Sequence, residues 1–479
     1  MATMTSTLEN AAVPHLPPKT IVGYGAGDAG CNIAFQMTGL FLLVYYTNVE
    51  GIHPADAGTV FLVVKVWDAF ADIFAGRMVD RTMTRWGKFR PFILWFSLPL
   101  LASNVLAFSM PNFSTYGYKL AWAYATYALL GVLYSLVNIP YGSLAGAMSQ
   151  NPVDRSRLAA ARMVGSGTTI LLLAVVLAPR IKSAPNLHLT FIVVSLVFLV
   201  VGMAMFLTTF FTSRETVFRE VERVSLRETF ATLGKNGPLV RLCLSSFFYL
   251  TGQNVVSALT IYLANDVLSQ YVSGTAGWIA TVATIITTGA VIYVGPFGPS
   301  VTRRVGKKRG FMIAAGIAVL GGLVFWVSNS LAIALLGLFL IGLGMALLNT
   351  MTWALEADTV EYGEYQTGVR TEGATYAAFS FTRKVGQAVG AAIASYSLAF
   401  VGFQPSTSGH PVTQTPQVLA GMQTAGAVVP AVLFVVALLI MASYPLTEER
   451  FKEIVHGIVE NRARRHAELH GGEPLTGAG

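Results

Sequence analysis

Charge is what this chain of 479 residues has least of. Asp, Glu, Lys and Arg make up 12% of it, about half the share carried by soluble domains, while 54% is hydrophobic. That imbalance excludes a soluble globular protein and leaves a polytopic membrane protein. Cysteine is almost absent, and Cys31 and Cys243 both fall in apolar runs, so a disulfide framework is excluded. All seven histidines lie in predicted loops or termini. No metal-ligand cluster is evident, and no cofactor is expected. The lack of a phosphate-binding loop removes support for ATP-driven transport. Residues 1–19 are polar, contain Pro17 and Pro18, and lack signal-peptide architecture. The net charge of +8 does not point to nucleic acid, because the basic residues sit in short loops between apolar runs.

The apolar runs long enough to span a bilayer, roughly 20 residues each, form two sets of six. The first set covers about 21–47, 55–79, 91–110, 117–149, 157–180 and 188–212. The second covers about 239–268, 276–301, 309–328, 331–360, 373–402 and 417–446. The chain therefore reads as a tail (1–19), a six-helix bundle (20–212), a polar connector (213–238), a second bundle (239–446) and a polar tail (447–479). Loops after even-numbered spans hold the basic residues, such as Arg81, Arg85, Lys88 and Arg90, then Arg303, Arg304, Lys307, Lys308 and Arg309. The opposite loops hold almost none, with Lys119, Arg180 and Lys182 as exceptions. That bias places both termini in the cytoplasm. The connector from Arg214 to Leu226 has a mixed-charge helical pattern, to which no chemistry is assigned.

Arg85-Trp-Gly87-Lys88-Phe-Arg90 after the second span returns as Arg304-Val-Gly306-Lys307-Lys-Arg309 after the eighth. A match at the same place in each half indicates two related halves, the pattern of major facilitator transporters. The expected fold is all-α, with twelve transmembrane helices in two pseudo-symmetric six-helix halves. The second span also carries Lys65, Asp68 and Asp72. Residues four apart share a helix face, and a carboxylate near the bilayer centre costs about 2.5–3.5 kcal/mol. Such a pair is retained where it binds something positive. Lys65 can neutralise one charge, which leaves room for one mobile cation, a proton or Na+. The plainer alternative is an ion-pair network with Lys65 that holds helices together.

The chain resembles the glycoside–pentoside–hexuronide:cation symporters of the major facilitator superfamily over about residues 20–455. The resemblance is carried by Gly23-Tyr-Gly-Ala-Gly27-Asp28, Asp68-Ala-Phe-Ala-Asp72, Arg85-Trp-Gly-Lys-Phe-Arg-Pro91 and Tyr134-Ser-Leu-Val-Asn138-Ile-Pro-Tyr-Gly-Ser143-Leu. The second half adds Trp353-Ala-Leu-Glu-Ala-Asp358-Thr-Val-Glu-Tyr-Gly-Glu-Tyr365, Thr367-Gly-Val-Arg370 and Phe379-Ser-Phe-Thr-Arg383-Lys384. Within the family the wording is nearest to bacterial glucuronide carriers. The resemblance implies cation coupling at Asp68 and Asp72, with Ser135 as a hydroxyl ligand. Read alone, a serine in a span is packing glue.

For the substrate, the resemblance and the polar stripes together single out Tyr24, Asp28, Asn32, Tyr134, Asn138, Arg162, Ser380 and Lys384. Melibiose permeases have aspartates at the positions of Asn32 and Asn138, a lysine at Cys31 and a tryptophan at Gly142. The amides here retain hydrogen bonding to hydroxyls without repelling an anionic sugar. Arg162 and Lys384 are then natural partners for a sugar carboxylate. For Arg162 the alternative is a snorkelling residue at the helix end; for Lys384 it is a pair with Asp68 or Asp72. Lys65, Arg85, Lys88, Arg90, Asp358, Glu361 and Arg370 read as a charge network at an inner gate. Glu356 falls with Asp358, Glu361 and Glu364 in one acidic helix end. Trp353, Tyr376 and Phe379 are aromatic candidates to stack on a pyranose, against which core packing is the simpler reading.

The expected function is secondary active symport of a sugar glycoside, preferably a glucuronide, into a bacterium across its inner membrane. The expected partners are lipid and an anionic sugar, acting on a monomer. Transport of a neutral or sulfonated glycoside is the nearer alternative. An intramembrane transferase using the acid pair, or a sugar sensor, is the remoter one.

Overall fold

The computed structural model describes residues 15–149, 152–216, 234, 236–272, 277–294, 297–367, 372–405 and 412–469. Helices account for nearly all of them, and no named strand occurs among the described residues. In chain order they are α1 (Pro18–Val44), α2 (Pro54–Arg81), α3 (Arg90–Ala107), α4 (Tyr116–Met148), α5 (Pro152–Val176) and α6 (Leu187–Thr212). The second half holds α7 (Gly237–Tyr262), α8 (Gly277–Thr287), α9 (Lys307–Trp326), α10 (Leu331–Thr367), α11 (Glu372–Phe400) and α12 (Pro416–Ala442). A further helix, α13 (Glu448–Leu469), lies within the polar tail.

Each expected span falls on one of these helices, and nine helices among the described residues are long and apolar enough to cross a membrane unaided. The regions outside that set are informative: α2 carries the Lys65–Asp68–Asp72 stripe, α11 carries Arg383 and Lys384, and the eighth span is not continuous. After α8 come two short pieces, Ala290–Val294 and Gly298–Val305. The first interruption is a turn at Thr288 and Gly289, and Pro299 lies in the first turn of the last piece, where a missing backbone donor is tolerated.

The chain separates into two compact units that cut across the expected six-plus-six division. Unit 1 contains residues 1–221 together with 257–292 and 391–422; unit 2 contains 222–256, 293–390 and 423–479. Within unit 1, α1 lies against α5 with almost no side chain between them. A Cβ on Gly165 would overlap the Gly25 carbonyl, and one on Gly25 would press on the Ala161 carbonyl. Small residues at such interfaces let backbones approach closely in an apolar solvent. Three hydroxyl contacts tie the later segments of unit 1 to the first six spans. Thr47 Oγ1 lies 2.7 Å from Tyr262 Oη, Thr59 Oγ1 lies 3.0 Å from Tyr396 Oη, and Thr281 Oγ1 donates to the Ala174 carbonyl at 2.8 Å. All lie at the helix ends opposite the basic loops. The ends of α1 and α7 both widen into π-helical turns, Tyr45–Val49 and Leu263–Val267.

The sequence repeat has a structural counterpart in each unit. Gly87 adopts φ +103° and Gly306 φ +85°, a backbone region that favours glycine. Each loop is capped by a glutamate that lies just beyond the last helix of its half. In unit 1, Glu215 accepts from the backbone N–H groups of Lys88 (2.8 Å), Phe89 (2.8 Å) and Arg90 (2.9 Å), closing the first turn of α3. In unit 2, Glu448 accepts from the Lys307 N–H at 2.7 Å, at the start of α9. The connector thus contains a residue with a definite structural task, Glu215; positions 217–233 and 235 of it lie outside the described residues.

Candidate functional site

Two polar constellations lie inside unit 1. The first joins α2 and α4. Asp68 is 6% exposed, and its Oδ2 accepts from Lys65 Nζ at 2.9 Å. Asp68 Oδ1 is buried with no hydrogen-bond partner, and it faces Gly131 so closely that a Cβ there would overlap it. One turn further, Asp72 Oδ1 accepts from Ser135 Oγ at 2.6 Å, while the same hydroxyl lies 3.0 Å from the Gly131 carbonyl. The helical spacings therefore bring Asp68, Asp72 and Ser135 onto one α2–α4 seam, with Lys65 as the paired cation. A buried carboxylate oxygen without a hydrogen bond is costly, and a bound cation or proton relieves it. Gly131→Ala is expected to push Asp68 off this seam. The measurement is cation-stimulated uptake, which should fall at least tenfold while protein yield stays near wild type.

The second constellation joins α1, α4 and α5. Asp28, whose side chain is 7% exposed, holds Arg162 through Oδ1 and Nε at 3.0 Å. Its Oδ2 accepts from Asn32 Nδ2 at 2.8 Å. Asn32 Oδ1 in turn lies 3.2 Å from Ser166 Oγ. The Arg162 guanidinium sits 5.4 Å from the Tyr141 ring centroid. Tyr141 stacks on Tyr24 at 4.7 Å, and each tyrosine hydroxyl donates to the other's backbone carbonyl, at 2.7 and 3.3 Å. Arg162 remains 41% exposed, with Asp28 holding one edge of its guanidinium. Asn138 is half-buried on α4, and Tyr134 stacks on Phe35 at 5.8 Å. Nothing within 4 Å would meet a Cβ on Gly142.

Unit 2 holds the remaining candidates. Ser380 and Lys384 lie one turn apart on α11, both half-buried. Trp353 and Tyr376 stack at 6.5 Å and stay exposed, whereas Phe379 is 2% exposed and belongs to the core. The acidic end of α10 is not one group. Asp358 accepts from Lys307 Nζ at 2.6 Å, while Glu356, two residues earlier, leaves by the opposite side of the helix. Glu356 is 6% exposed, interacts electrostatically with Arg383, and keeps Oε2 without a hydrogen-bond partner. Sequence reasoning missed this pair; the two-residue offset between Glu356 and Asp358 was the available signal. Of the expected gate residues, Lys65 belongs to the α2–α4 seam and Arg85 lies over its own Trp86 ring. Arg90 donates to the Phe210 carbonyl at 2.7 Å. Lys88 contributes its backbone N–H to Glu215, Glu361 is half-buried on α10, and Arg370 lies outside the described residues.

In a helical membrane bundle, buried ionisable pairs mark substrate and ion pathways. A family model described as MFS/sugar transport protein matches residues 23–448. The chain belongs to that family. A glucuronide carrier protein homolog of Escherichia coli strain K12 is 43% identical over 94% of this chain and 97% of its own length. An isoprimeverose transporter of Lactiplantibacillus pentosus is 31% identical over 79% of this chain and 80% of its own. Among solved structures, a bacterial homolog of the human lysosomal transporter Spinster superposes with a TM-score of 0.63 at 12% identity. It covers 93% of this chain and 98% of that one, a likeness of fold alone.

Proposed function

We propose that this protein imports a sugar glycoside, preferably a glucuronide, together with one proton or Na+ across a bacterial inner membrane, with both termini cytoplasmic. The observation that carries the reading is the held but open guanidinium of Arg162, which Asp28 engages on one edge while Asp28 also accepts from the Asn32 amide. Arginine binds carboxylates bidentately, which gives the sugar a fixed orientation. The cation site is the α2–α4 seam. The Asp68 oxygen that is buried there without a hydrogen-bond partner supports that placement. Transport proceeds by alternating access. The Thr47–Tyr262 and Thr59–Tyr396 contacts break when the side opposite the basic loops opens. Cation and sugar favour the same occluded state, so each strengthens the other's binding.

The test is uptake of a labelled aryl glucuronide into vesicles under an imposed proton gradient, then a sodium gradient, beside the matching neutral glucoside. Accumulation of the glucuronide at least tenfold over the glucoside is expected, and the driving gradient names the ion. Equal transport of the two sugars would move the substrate to neutral glycosides, the reading that the isoprimeverose relative favours.

A further inference from the structure

We infer that Asp28 is a proton-exchange carboxylate: the sugar's carboxylate takes its place on Arg162, and Asp28 accepts a proton as it is displaced. The inference rests on the reading of Arg162 as the anchor of an anionic sugar. Asp28 engages Arg162 through Nε alone. The two terminal guanidinium nitrogens make no hydrogen bond among the described residues, and the side chain is 41% exposed. The fork that best fits a carboxylate therefore remains available, while Asp28 occupies the remaining edge.

The surroundings of Asp28 decide which carboxylate takes the proton. Its own helix presents Tyr24, Cys31 and Asn32; α4 presents Tyr141; α5 presents Arg162. From α6, the Thr209 hydroxyl donates to the Gly23 carbonyl, and the Phe206 ring lies against Gly30. Arg162 is the one cation in that set. A second carboxylate arriving on the same guanidinium leaves two anions for one cation, one of them the 7% exposed Asp28. Carboxylates that share a site cannot both ionise cheaply, so one takes a proton. Asp28 is the one that can, because it is the buried member and its Oδ1, once released by Arg162, can carry the proton while Oδ2 still accepts from Asn32. The proton enters from the side on which the sugar binds. It is released on the other side when the sugar leaves and Arg162 returns to Asp28.

The charge balance makes this distinguishable from the α2–α4 cation. A neutral glycoside brings no second carboxylate, so it moves with the coupling cation alone. A glucuronide brings one negative charge and one additional proton. Both sugars then carry the same net charge per cycle, but the glucuronide carries one proton more.

The test is calorimetric binding to the purified full-length protein in two buffers of different ionisation enthalpy, with an aryl glucuronide and its aryl glucoside. Wild type should take up one more proton with the glucuronide than with the glucoside. Asp28→Asn should lose that excess, and its glucuronide affinity should stop falling as pH rises, where wild type loses up to tenfold per pH unit. Difference infrared spectra of the wild type provide the check that needs no variant: a protonated-carboxyl band should appear with the glucuronide and not with the glucoside. Glucuronide binding without excess proton uptake, or uptake that persists in Asp28→Asn, would overturn the role of Asp28 while leaving the substrate intact. Binding of the glucoside alone would overturn the substrate reading and this inference together.

Discussion

Vesicles carrying Asp72→Asn are expected to lose gradient-driven accumulation by at least a hundredfold while still exchanging sugar in counterflow. In the proposed coupling, Lys65 pairs with Asp68, and Asp72 one turn on contributes a carboxylate to the cation, with Ser135 bonded to its Oδ1. A unit charge about 4 Å from a cation is worth about 4 kcal/mol at the effective dielectric of a partly wet protein site. Removing it costs about a thousandfold in cation affinity. The amide oxygen can still accept from Ser135, so the α2–α4 seam should hold and sugar should still bind. Asp68→Asn is expected to behave differently, because it leaves the largely buried Lys65 without its 2.9 Å partner. Stranding one member of a buried pair costs about 3–5 kcal/mol, so this variant should lose thermal stability as well as coupling. Accumulation and melting temperature measured together separate the two. Wild-type accumulation by Asp72→Asn would exclude the carboxylate from coupling.

Glu215→Ala should be the most destabilising single change outside the two polar constellations, and more so than Glu448→Ala. The Glu215 carboxylate closes three backbone N–H groups at the start of α3, whereas Glu448 closes one at the start of α9. An anion at a helix N-terminus gains from both orphan donors and the aligned peptide dipoles. Hydrogen bonds to charged groups are worth about 1.5–3 kcal/mol each and are not additive, so a loss of about 3 kcal/mol is reasonable for Glu215. The effect should be local, since the tight turn at Gly87 is fitted to that carboxylate: a Cβ there would run into Glu215. Thermal unfolding in detergent and limited proteolysis of the Thr84–Arg90 loop would record it. Equal melting temperatures for the two alanine variants would remove the capping account.

The sequence by itself determined the elements whose signal is local. Hydrophobic runs located every span, because a helix in lipid must be apolar along its length and satisfies its own backbone hydrogen bonds. The Asp68–Asp72 spacing placed both carboxylates on one helix face, since four residues return a helix to the same face. What the tertiary structure decided depends on residues far apart in the chain. The Asp28–Arg162 bond joins positions 134 apart, and Glu215 reaches a loop about as distant. Glu215 sits in a charged connector where one glutamate looks like the next. Glu356 was hidden among acidic neighbours, and only the direction of its side chain set it apart. The division into units was equally illegible, because hydroxyl contacts such as Thr47–Tyr262 leave no periodic trace. Periodicity within one helix is written in the sequence; which distant side chain completes a charge is settled only when the helices pack.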